Sequence, residues 1–477
     1  MNNKNAIVVQ RTGTLSALVA ALMLGGCMSF IPTYERPAAP VAPAYAPELI
    51  PAGSSSATAV ADIEWQRFFA DPRLKRLIEL SLQNNRDLRV AILNIEQARA
   101  SYQIRRADEL PSIGAGVSAQ RGAGSNGGLV NTYAVGFQVT GYELDFFGRV
   151  RSLSQAALSQ YLATEEARKT TQIALVSGVA TSYVSLLADD ELLRVTRDAL
   201  KTREDSFRLT KLRFDNGASS EVELRQAEQL LETAKVALAQ TQRQKALDEN
   251  ALTLLVGQAL PADLPAPLPL GAQQGVTDLP AGLPSDLLTR RPDVLAAEQQ
   301  LLAANANIGA ARAAFFPRIS LTANAGTAST ELSGLFKSGT WALTGTASLL
   351  QPIFDAGRNQ ANLEVAKVSK DIAIAQYEKA IQTAFREVSD SLAGRATLGE
   401  QLRAQAAVAN AAQVSFKLAD LRYRNGASSY FDVLDAQRTL FSAQQATVQT
   451  QALQVQNLVT LYKVLGGGWT EPAPRTN

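Results

Sequence analysis

The sequence predicts a mainly α-helical chain that carries four β-strands and contains an internal tandem duplication. Between Gly357 and Asn425 hardly any Pro or Gly interrupts the helix-forming residues, a span of about 68 residues or roughly 100 Å. The earlier stretch 148–215 has the same character. Each of these long helices follows a segment in which apolar and polar residues alternate with period two, the pattern of a half-exposed strand.

The tandem duplication is visible residue by residue. The run Asn-Gly-Ala-Ser-Ser occurs at 216–220 and again at 425–429. Chance similarity between two alanine-rich helices does not produce such a run, so an internal repeat is the better explanation. We assign the first repeat to 62–258 and the second to 285–468. Pairs 206 positions apart include Asp87 with Asp293, Arg106 with Arg312 and Pro111 with Pro317, and pairs 209 positions apart include Gly148 with Gly357.

Short helices open the first repeat. Asp71 followed by Pro72 is typical of a helix N-cap with Pro in the first turn, so a helix is predicted to begin there. A further helix is predicted over 87–109, and Pro111 ends it.

Two strand hairpins are predicted, at 111–147 and 317–355. Both have one apolar face and one face of small or polar residues. In the first hairpin the alternation slips by one residue near Gly141, which predicts either a β-bulge or a change in the surroundings of the strand. The connecting loops are predicted at about 120–131 and 327–340, because these stretches are rich in Gly, Ser and Asn.

Helical hairpins follow the strand hairpins. The long helices are predicted at 148–215 and 357–424, and the return helices at 219–257 and 428–465. A left-handed glycine at each Asn-Gly turn reverses the chain, and Ser219 is predicted as the next N-cap. An apolar seam flanked by small residues suits long helices that pack side by side.

Three segments have the composition of irregular chain. Segment 259–284 is dense in Pro and Gly and is predicted to be an irregular connector. Segment 27–61 is rich in Pro, Ala and Ser and is expected to form an extended strap. The tail at 469–477 is expected to be disordered.

The N-terminus has the layout of a bacterial secretory signal. Basic residues precede an apolar run, and Leu24-Gly25-Gly26-Cys27 is typical of a lipoprotein cleavage box. We therefore assign 1–26 to a signal peptide and expect acyl chains on Cys27, which anchor the mature N-terminus in one membrane leaflet. The alternative is an ordinary cleavage site followed by an incidental cysteine.

The composition excludes most catalytic chemistry. The chain of 477 residues has no His and one Cys, so Ser-His and Cys-His nucleophile pairs are impossible. Carboxylate pairs such as Asp432 with Asp435 lie in segments that the architecture already explains. A net charge of +2 and the lack of a basic aromatic patch argue against a nucleic-acid partner. We predict no enzyme activity, no metal and no cofactor apart from the covalent lipid on Cys27.

Four strands per chain are too few to close a membrane barrel. The smallest known barrel needs eight, and an open edge in lipid costs several kcal/mol per unpaired group, so the chain must oligomerise. Two copies give a barrel filled by side chains, whereas three give twelve strands and room for a pore. Small and polar residues on one strand face favour a wet interior and three or more copies: Gly136, Gln138, Thr140, Thr344, Thr346 and Ser348.

The chain resembles the TolC-type outer-membrane efflux channels, in particular the OprM-like lipoproteins that serve resistance-nodulation-division pumps. The resemblance covers nearly all of residues 27–468. Its most specific motifs are the lipobox at Cys27, Arg290-Arg291-Pro292-Asp293, the stretch Gln351-Pro352-Ile353-Phe354-Asp355-Ala356-Gly357-Arg358, and Arg422-Tyr423-Arg424-Asn425-Gly426.

This resemblance implies a mainly α fold with a membrane β-barrel part. A homotrimer of such chains has a twelve-stranded barrel in the outer membrane and a twelve-helix tunnel in the periplasm, which together form an exit duct for drugs. The implied partners are a periplasmic adaptor protein, an inner-membrane resistance-nodulation-division transporter and outer-membrane lipid. We expect the adaptor to dock at the two turns, Asn216-Gly217 and Asn425-Gly426.

The resemblance also implies a gate at the periplasmic tip, formed by an acidic ring with tyrosine and arginine contacts. By motif position the matching residues are Tyr423, Phe431, Asp435 and Arg438. Asp435 and Arg438 are three residues apart and share a helix face. Their first-repeat counterparts are Gln226 and Gln229, so only the second repeat carries the charges. The alternative interpretation is a solvated ion pair within one helix.

A second class of function is a structural or adhesive coiled-coil lipoprotein without a pore. Such a spacer has no need of four alternating segments long enough to cross a membrane. The strands therefore favour the channel.

Overall fold

The computed structural model describes residues 29–49, 60–123, 127–273, 279 and 284–469. Its helices and strands, in chain order, are α1 (Trp65–Phe68), α2 (Pro72–Asn84), α3 (Arg86–Ala107), β1 (Ile113–Ala123), β2 (Leu129–Glu143), α4 (Arg149–Asp215), α5 (Glu221–Val256), α6 (Pro284–Arg290), α7 (Pro292–Ala313), β3 (Arg318–Ser329), β4 (Trp341–Leu350), α8 (Arg358–Arg424) and α9 (Tyr430–Val464). Long helices with four antiparallel strands are the fold class that the sequence predicts. The predicted signal peptide, Cys27 and the tail beyond Trp469 lie outside the described residues.

Two compact units make up the chain, and neither coincides with a sequence repeat. The first contains the residues up to Ala38, Asn94–Glu165 and Ala296–Glu378. The second contains Ala39–Leu93, Glu166–Leu295 and the residues from Lys379 onwards. Each unit therefore includes parts of both repeats.

The sheet of the first unit has the strand order β1-β2-β3-β4, and all neighbours are antiparallel. Pairing within a repeat places Ile113 of β1 opposite Val139 of β2, and Ile319 of β3 opposite Leu349 of β4. The central pairing of β2 with β3 joins the two repeats. β1 and β4 are the two edge strands of this sheet.

The register of β2 against β3 shifts between Val139 and Tyr142, which confirms the predicted β-bulge. Gly141 lies in the bulge with a φ of 66°, a left-handed conformation that glycine adopts without strain.

The predicted loop limits are too wide on both hairpins. β1 continues to Ala123 and β2 begins at Leu129, because these strand ends pair with each other. In the second hairpin β3 continues to Ser329 and a 3-10 turn follows at Leu332–Gly334. The loop prediction was based on composition, because Gly and Ser are rare in strands. It did not take into account that these residues pair with the neighbouring strand.

The N-terminal strap of the first unit, residues 29–38, lies along α7. The ring of Phe30 stacks on Phe316 with ring centres 4.6 Å apart. The Arg36 guanidinium forms a two-point ion pair with the Glu298 carboxylate, at 2.7 and 2.9 Å. These contacts hold a segment that has neither helix nor strand of its own.

In the second unit, a buried carboxylate fastens the connector to the helices. Asp71 caps α2 by accepting from Arg73 N at 2.7 Å, as predicted. Its other oxygen accepts from the Tyr183 hydroxyl at 2.8 Å, Leu268 N at 3.0 Å and the Gln273 amide at 2.8 Å. The described part of the connector is irregular apart from a 3-10 turn, and these bonds explain how such a segment stays in place.

In both repeats a side chain from the start of a short helix donates a hydrogen bond to a carbonyl group at the C-terminal end of the return helix. In the first repeat the Asn85 amide donates to Leu255 O at 3.0 Å, and in the second the Arg291 guanidinium donates to Val464 O at 3.2 Å. These two donors and these two acceptors occupy matching positions of the duplication. The longer arginine also reaches Glu387 at 2.8 Å, which gives a structural role to the second arginine of the Arg-Arg-Pro-Asp motif.

Candidate functional site

The two Asn-Gly turns of the second unit have the same backbone geometry. In each, the Asn side chain donates to the carbonyl oxygen four residues earlier over 2.7 Å, from Asn216 and from Asn425. Gly217 and Gly426 have φ values of 72° and 73°, in the left-handed region that favours glycine. The sequence therefore identified both chain reversals correctly.

The helices that follow the turns begin differently. The Ser220 hydroxyl accepts from Glu223 N at 3.2 Å while the Glu223 carboxylate accepts from Ser220 N at 3.3 Å, which is a capping box. At the start of α9, Ser429 makes no side-chain cap bond, and the shorter Asp432 stands where the first repeat has the glutamate. The prediction of Ser219 as N-cap is wrong by one residue, because Ser219 still belongs to the turn.

A hydrophobic cluster joins the two helical hairpins close to the turns. Tyr430 at the start of α9 is only 2% exposed. Its ring lies 5.2 Å from the ring of Tyr423, which comes from the end of α8. The buried members of the cluster are Ala227, Leu230, Tyr423, Tyr430, Val433 and Leu434.

Polar contacts from α4 reinforce this cluster. The Arg213 guanidinium carbon lies 4.9 Å from the centre of the Tyr423 ring, a cation–π contact. Burial raises the pKa of the Tyr423 hydroxyl, and the charge of Arg213 opposes that shift. Further from the turn, the Gln437 amide of α9 donates to the Ser206 hydroxyl at 3.1 Å.

Arg203 is a buried cation on the same face of α4. It donates to Leu230 O of α5 at 3.2 Å, and its guanidinium lies 4.9 Å from the Phe441 ring of α9. Burial lowers the pKa of Arg203, and repulsion from Arg438 acts in the same direction. Arg203 therefore connects three helices and places a positive charge near a predicted gate residue.

The four predicted gate residues fall into two groups. Tyr423 lies in the hydrophobic cluster, where its partner is Arg213. Phe431 is 58% exposed, and Asp435 and Arg438 are also exposed on α9. Both charged side chains are open to solvent in the single chain, so the choice between a gate and a solvated ion pair stays a prediction.

A buried carboxyl group with a second carboxyl group as its neighbour lies in the first helical hairpin. Asp189 of α4 is buried, and the neighbouring group is that of the half-buried Asp248 of α5. Burial and this neighbouring carboxyl group raise the pKa of Asp189 to about 7. The matching positions of the second repeat are Leu398 and Asn457, so only the first hairpin has this pair.

Sequence reasoning missed the polar contacts between helices. Spacing along one helix does not reveal them, because the partners are far apart in the chain. One signal was available in the duplication itself. At the offset of 209 positions, Arg203 corresponds to Ala412 and Asp189 corresponds to Leu398. The two repeats therefore differ in polarity at the positions where these contacts form.

Comparison with known proteins gives a consistent result. The family model described as outer membrane efflux protein matches residues 77–258 and 283–467. The chain is 49% identical over 478 residues to the toluene efflux pump outer membrane protein TtgC of Pseudomonas putida, with 97% of both chains covered. It has the same identity and coverage with the antibiotic efflux pump outer membrane protein ArpC of Pseudomonas putida.

A solved structure extends this similarity to three dimensions. The open state of the MtrE outer membrane channel of Neisseria gonorrhoeae is 41% identical and superposes with a TM-score of 0.85, covering 92% of this chain and 98% of that chain. These relatives are efflux and channel proteins rather than enzymes. None of them supports the alternative of a spacer without a pore.

Proposed function

Since this chain belongs to the outer membrane efflux protein family, we propose that three copies assemble into one gated exit duct. As a member of that family, the chain is the outer-membrane channel of an efflux pump in a Gram-negative bacterium. The proposal adds the number of copies, the gate, the partners and the lipid anchor.

The open sheet is the observation that supports the trimer. Every residue of β4 is exposed within the single chain, β1 is exposed at all but one residue, and both are sheet edges. Unpaired backbone groups in lipid cost several kcal/mol each, so both edges need partner strands. Three copies supply twelve strands and a lumen, whereas two form a barrel that its own side chains fill.

The partners follow from the role of an exit duct. We propose that a periplasmic adaptor docks at Asn216-Gly217 and Asn425-Gly426, and that an inner-membrane resistance-nodulation-division transporter supplies the cargo. At Gly217 and Gly426 an added Cβ meets no described atom within 4 Å, so the surface of each turn is free for a protein partner. Relatives are named for toluene and for antibiotics, which supports amphiphilic organic compounds as the cargo.

The gate is proposed at the exposed residues of α9. Three Asp435 carboxylates around a narrow axis repel one another and attract cations, so closure requires counter-charges. Arg438 supplies them, because it is exposed three residues from Asp435 on the same face of α9, near the buried Arg203 that repels it. Charged hydrogen bonds of this kind contribute roughly 1.5–3 kcal/mol each, enough to hold the tip shut and weak enough for a docked adaptor to displace.

Phe431 and Tyr423 have separate parts in this gate. Phe431 is exposed next to the charged residues and adds apolar surface to the closed tip. Tyr423 acts by position, since its contact with Arg213 holds the end of α8 against α4.

Single-channel conductance in planar bilayers tests the gate. The double substitution Asp435→Ala and Arg438→Ala is expected to raise the resting conductance and to reduce cation preference, while the trimer stays intact. Cells with this variant are expected to become sensitive to large antibiotics such as vancomycin. The matched control is Gln226→Ala with Gln229→Ala, at the same positions of the first repeat.

Two results contradict the proposal. Wild-type conductance in the Asp435/Arg438 variant shows that the seal lies elsewhere. An equal increase in the Gln226/Gln229 variant shows that the second repeat has no special role at the tip.

The lipid anchor is proposed on Cys27. It is the only cysteine of the chain and follows Leu24-Gly25-Gly26. Metabolic labelling with a radioactive fatty acid is expected to mark the wild type and not Cys27→Ser, with barrel assembly unchanged. Label that persists on the variant refutes the assignment.

A further inference from the structure

The tandem duplication relates two seams of the sheet. Inside the chain, the second strand of the first repeat, β2, pairs with the first strand of the second repeat, β3. By the same relation β4 is the counterpart of β2, and β1 is the counterpart of β3. The strands β1 and β4 are the two edges of the sheet. In the proposed trimer, on which this inference rests, β4 of one copy meets β1 of the next and repeats the β2–β3 pairing.

The structure defines which residues correspond. Ile113 of β1 corresponds to Ile319 of β3, and their hairpin partners are Val139 and Leu349. Val139 and Leu349 are 210 positions apart, whereas the helices that follow correspond at 209. The difference of one residue is the bulge at Gly141, which has no counterpart in β4.

Above the bulge, the internal pairing predicts one contact between copies. Val139 of β2 lies opposite Ala323 of β3. Replacing each by its counterpart places Leu349 opposite Val117 of the partner subunit.

Below the bulge, the internal pairing predicts a second contact independently. Tyr142 lies opposite Leu321, and the counterparts are Gln351 and Ala115 of the partner subunit. Gln351 lies two residues after Leu349, just beyond the end of β4, and Ala115 lies two residues before Val117 on β1. Both sides of the bulge therefore predict the same ladder, and the ladder between copies has no bulge.

We propose that the seam between neighbouring copies is a continuous antiparallel ladder in which Leu349 lies opposite Val117 of the partner subunit. Both residues are exposed in the single chain, at 64% for Leu349 and 80% for Val117. Both belong to the apolar alternation of their strands, so the ladder keeps one continuous apolar face towards lipid. A slip by one residue sets apolar residues opposite polar ones across the seam.

The foot of the sheet agrees with this register. Leu144 N donates to Ile319 O at 2.8 Å inside the chain, and the counterpart bond runs from Ile353 N to Ile113 O of the partner subunit. Ile353 is 90% exposed and Ile113 is 72% exposed in the single chain. Successive residues of a strand direct their N–H groups to opposite sides. Because the N–H of Ile353 faces the partner subunit, the position of Pro352 faces away from it, and the missing N–H of the proline costs no bond between copies.

Disulfide cross-linking tests the register, because directly opposite Cβ atoms lie about 4.5–5.5 Å apart and diagonal ones about 7–8 Å. The double variant Val117→Cys with Leu349→Cys is expected to give covalent dimers and trimers on oxidation. The slipped controls are Ala115→Cys with Leu349→Cys, and Ala119→Cys with Leu349→Cys, and they are expected to react several-fold more slowly. Ala119→Cys with Ala347→Cys tests the same register with small side chains, in case the first variant assembles poorly.

The outcomes separate the register from the trimer. If either slipped control cross-links faster than the 117/349 pair, the register is wrong, although the trimer itself is not contradicted. A trimer that dissociates on heating but never cross-links through the 117/349 or 119/347 pairs also overturns it. No cross-linked product from any pair, together with no trimer before heating, refutes the proposed trimer itself.

Discussion

The two chain reversals have the same backbone and different support. The first is stabilised mostly by its own residues, through the capping box of Ser220 and Glu223. The second has no side-chain cap at Ser429 and depends on Tyr423 and Tyr430, which pack against the first hairpin. The difference teaches that a local cap supports the first turn, whereas packing against the first hairpin supports the second.

This asymmetry fits a gate that belongs to one repeat only. The charged residues of the proposed gate lie on α9, beyond the aromatic contacts that hold the second turn. Under the proposed function, an adaptor that displaces those contacts is expected to free α9 without unfolding the first hairpin. The following predictions test this difference between the two turns.

The largest expected effect is at Tyr430. Tyr430→Ala removes a side chain that is almost fully buried, and such truncations cost about 3 kcal/mol or more. Hydrogen exchange is expected to show reduced protection of the amides at the start of α9. The matched control is Glu221→Ala, at the exposed counterpart position of the first repeat. The asymmetry is contradicted if α5 loses as much protection in this control as α9 loses in Tyr430→Ala.

The next effect is at the two glycines. Gly217→Val and Gly426→Val each place a β-branched residue at a left-handed φ, which costs about 1–2 kcal/mol. Because the backbone cost is the same at both turns, a difference in drug efflux between the variants reports which turn the adaptor uses more. We expect efflux to fall in both with trimer yield near normal, and unchanged drug resistance in both argues against docking at the turns.

A pH dependence is expected in the first hairpin. The pKa of Asp189 is raised to about 7 in the folded chain, so the folded state binds more protons than the unfolded state between about pH 4 and 7. The stability from this pair is therefore present at low pH and is lost as pH rises through about 7. The second hairpin, with Leu398 and Asn457 at these positions, lacks this contribution.

Thermal unfolding in detergent at pH 6 and pH 8 checks this expectation. Asp189→Asn is expected to reduce the difference between the two midpoints, because the amide has a similar shape and stays neutral at both pH values. Asp198→Asn is the control, since this exposed carboxylate of α4 pairs with Arg194 instead. A pH difference that is unchanged in Asp189→Asn excludes the pair as its source.

The smallest effect distinguishes the two caps directly. Ser220→Ala removes the acceptor for Glu223 N and is expected to cost about 1 kcal/mol of local stability. Ser429→Ala is expected to cost close to nothing, because that hydroxyl makes no cap bond. Exchange rates of the first amides of α5 and α9 measure both, and equal losses show that the two caps are equivalent in solution.

Local signals explain why so much of the fold was predictable. Asp71 before Pro72 predicted the start of a helix, and the slip of alternation near Gly141 predicted a bulge. Each Asn-Gly pair predicted a reversal of the chain. Each of these depends on a few adjacent residues, so no knowledge of distant packing was needed. The errors arose where a neighbour decides the outcome, as at Ala123 and Leu129, which join the sheet only because they pair with each other.

The sequence by itself determined the elements, their order and the duplication, because backbone preferences and periodicity act over short distances. Only the tertiary structure decided which residues of different helices meet. Burial of Tyr430, the carboxyl pair at Asp189 and the contacts of Arg203 depend on which faces of α4, α5 and α9 lie together. Helices whose surfaces are mostly Ala, Ser, Thr and Gln can pack in several rotations, so the polar contacts between them are settled by three-dimensional packing and not by spacing along the chain.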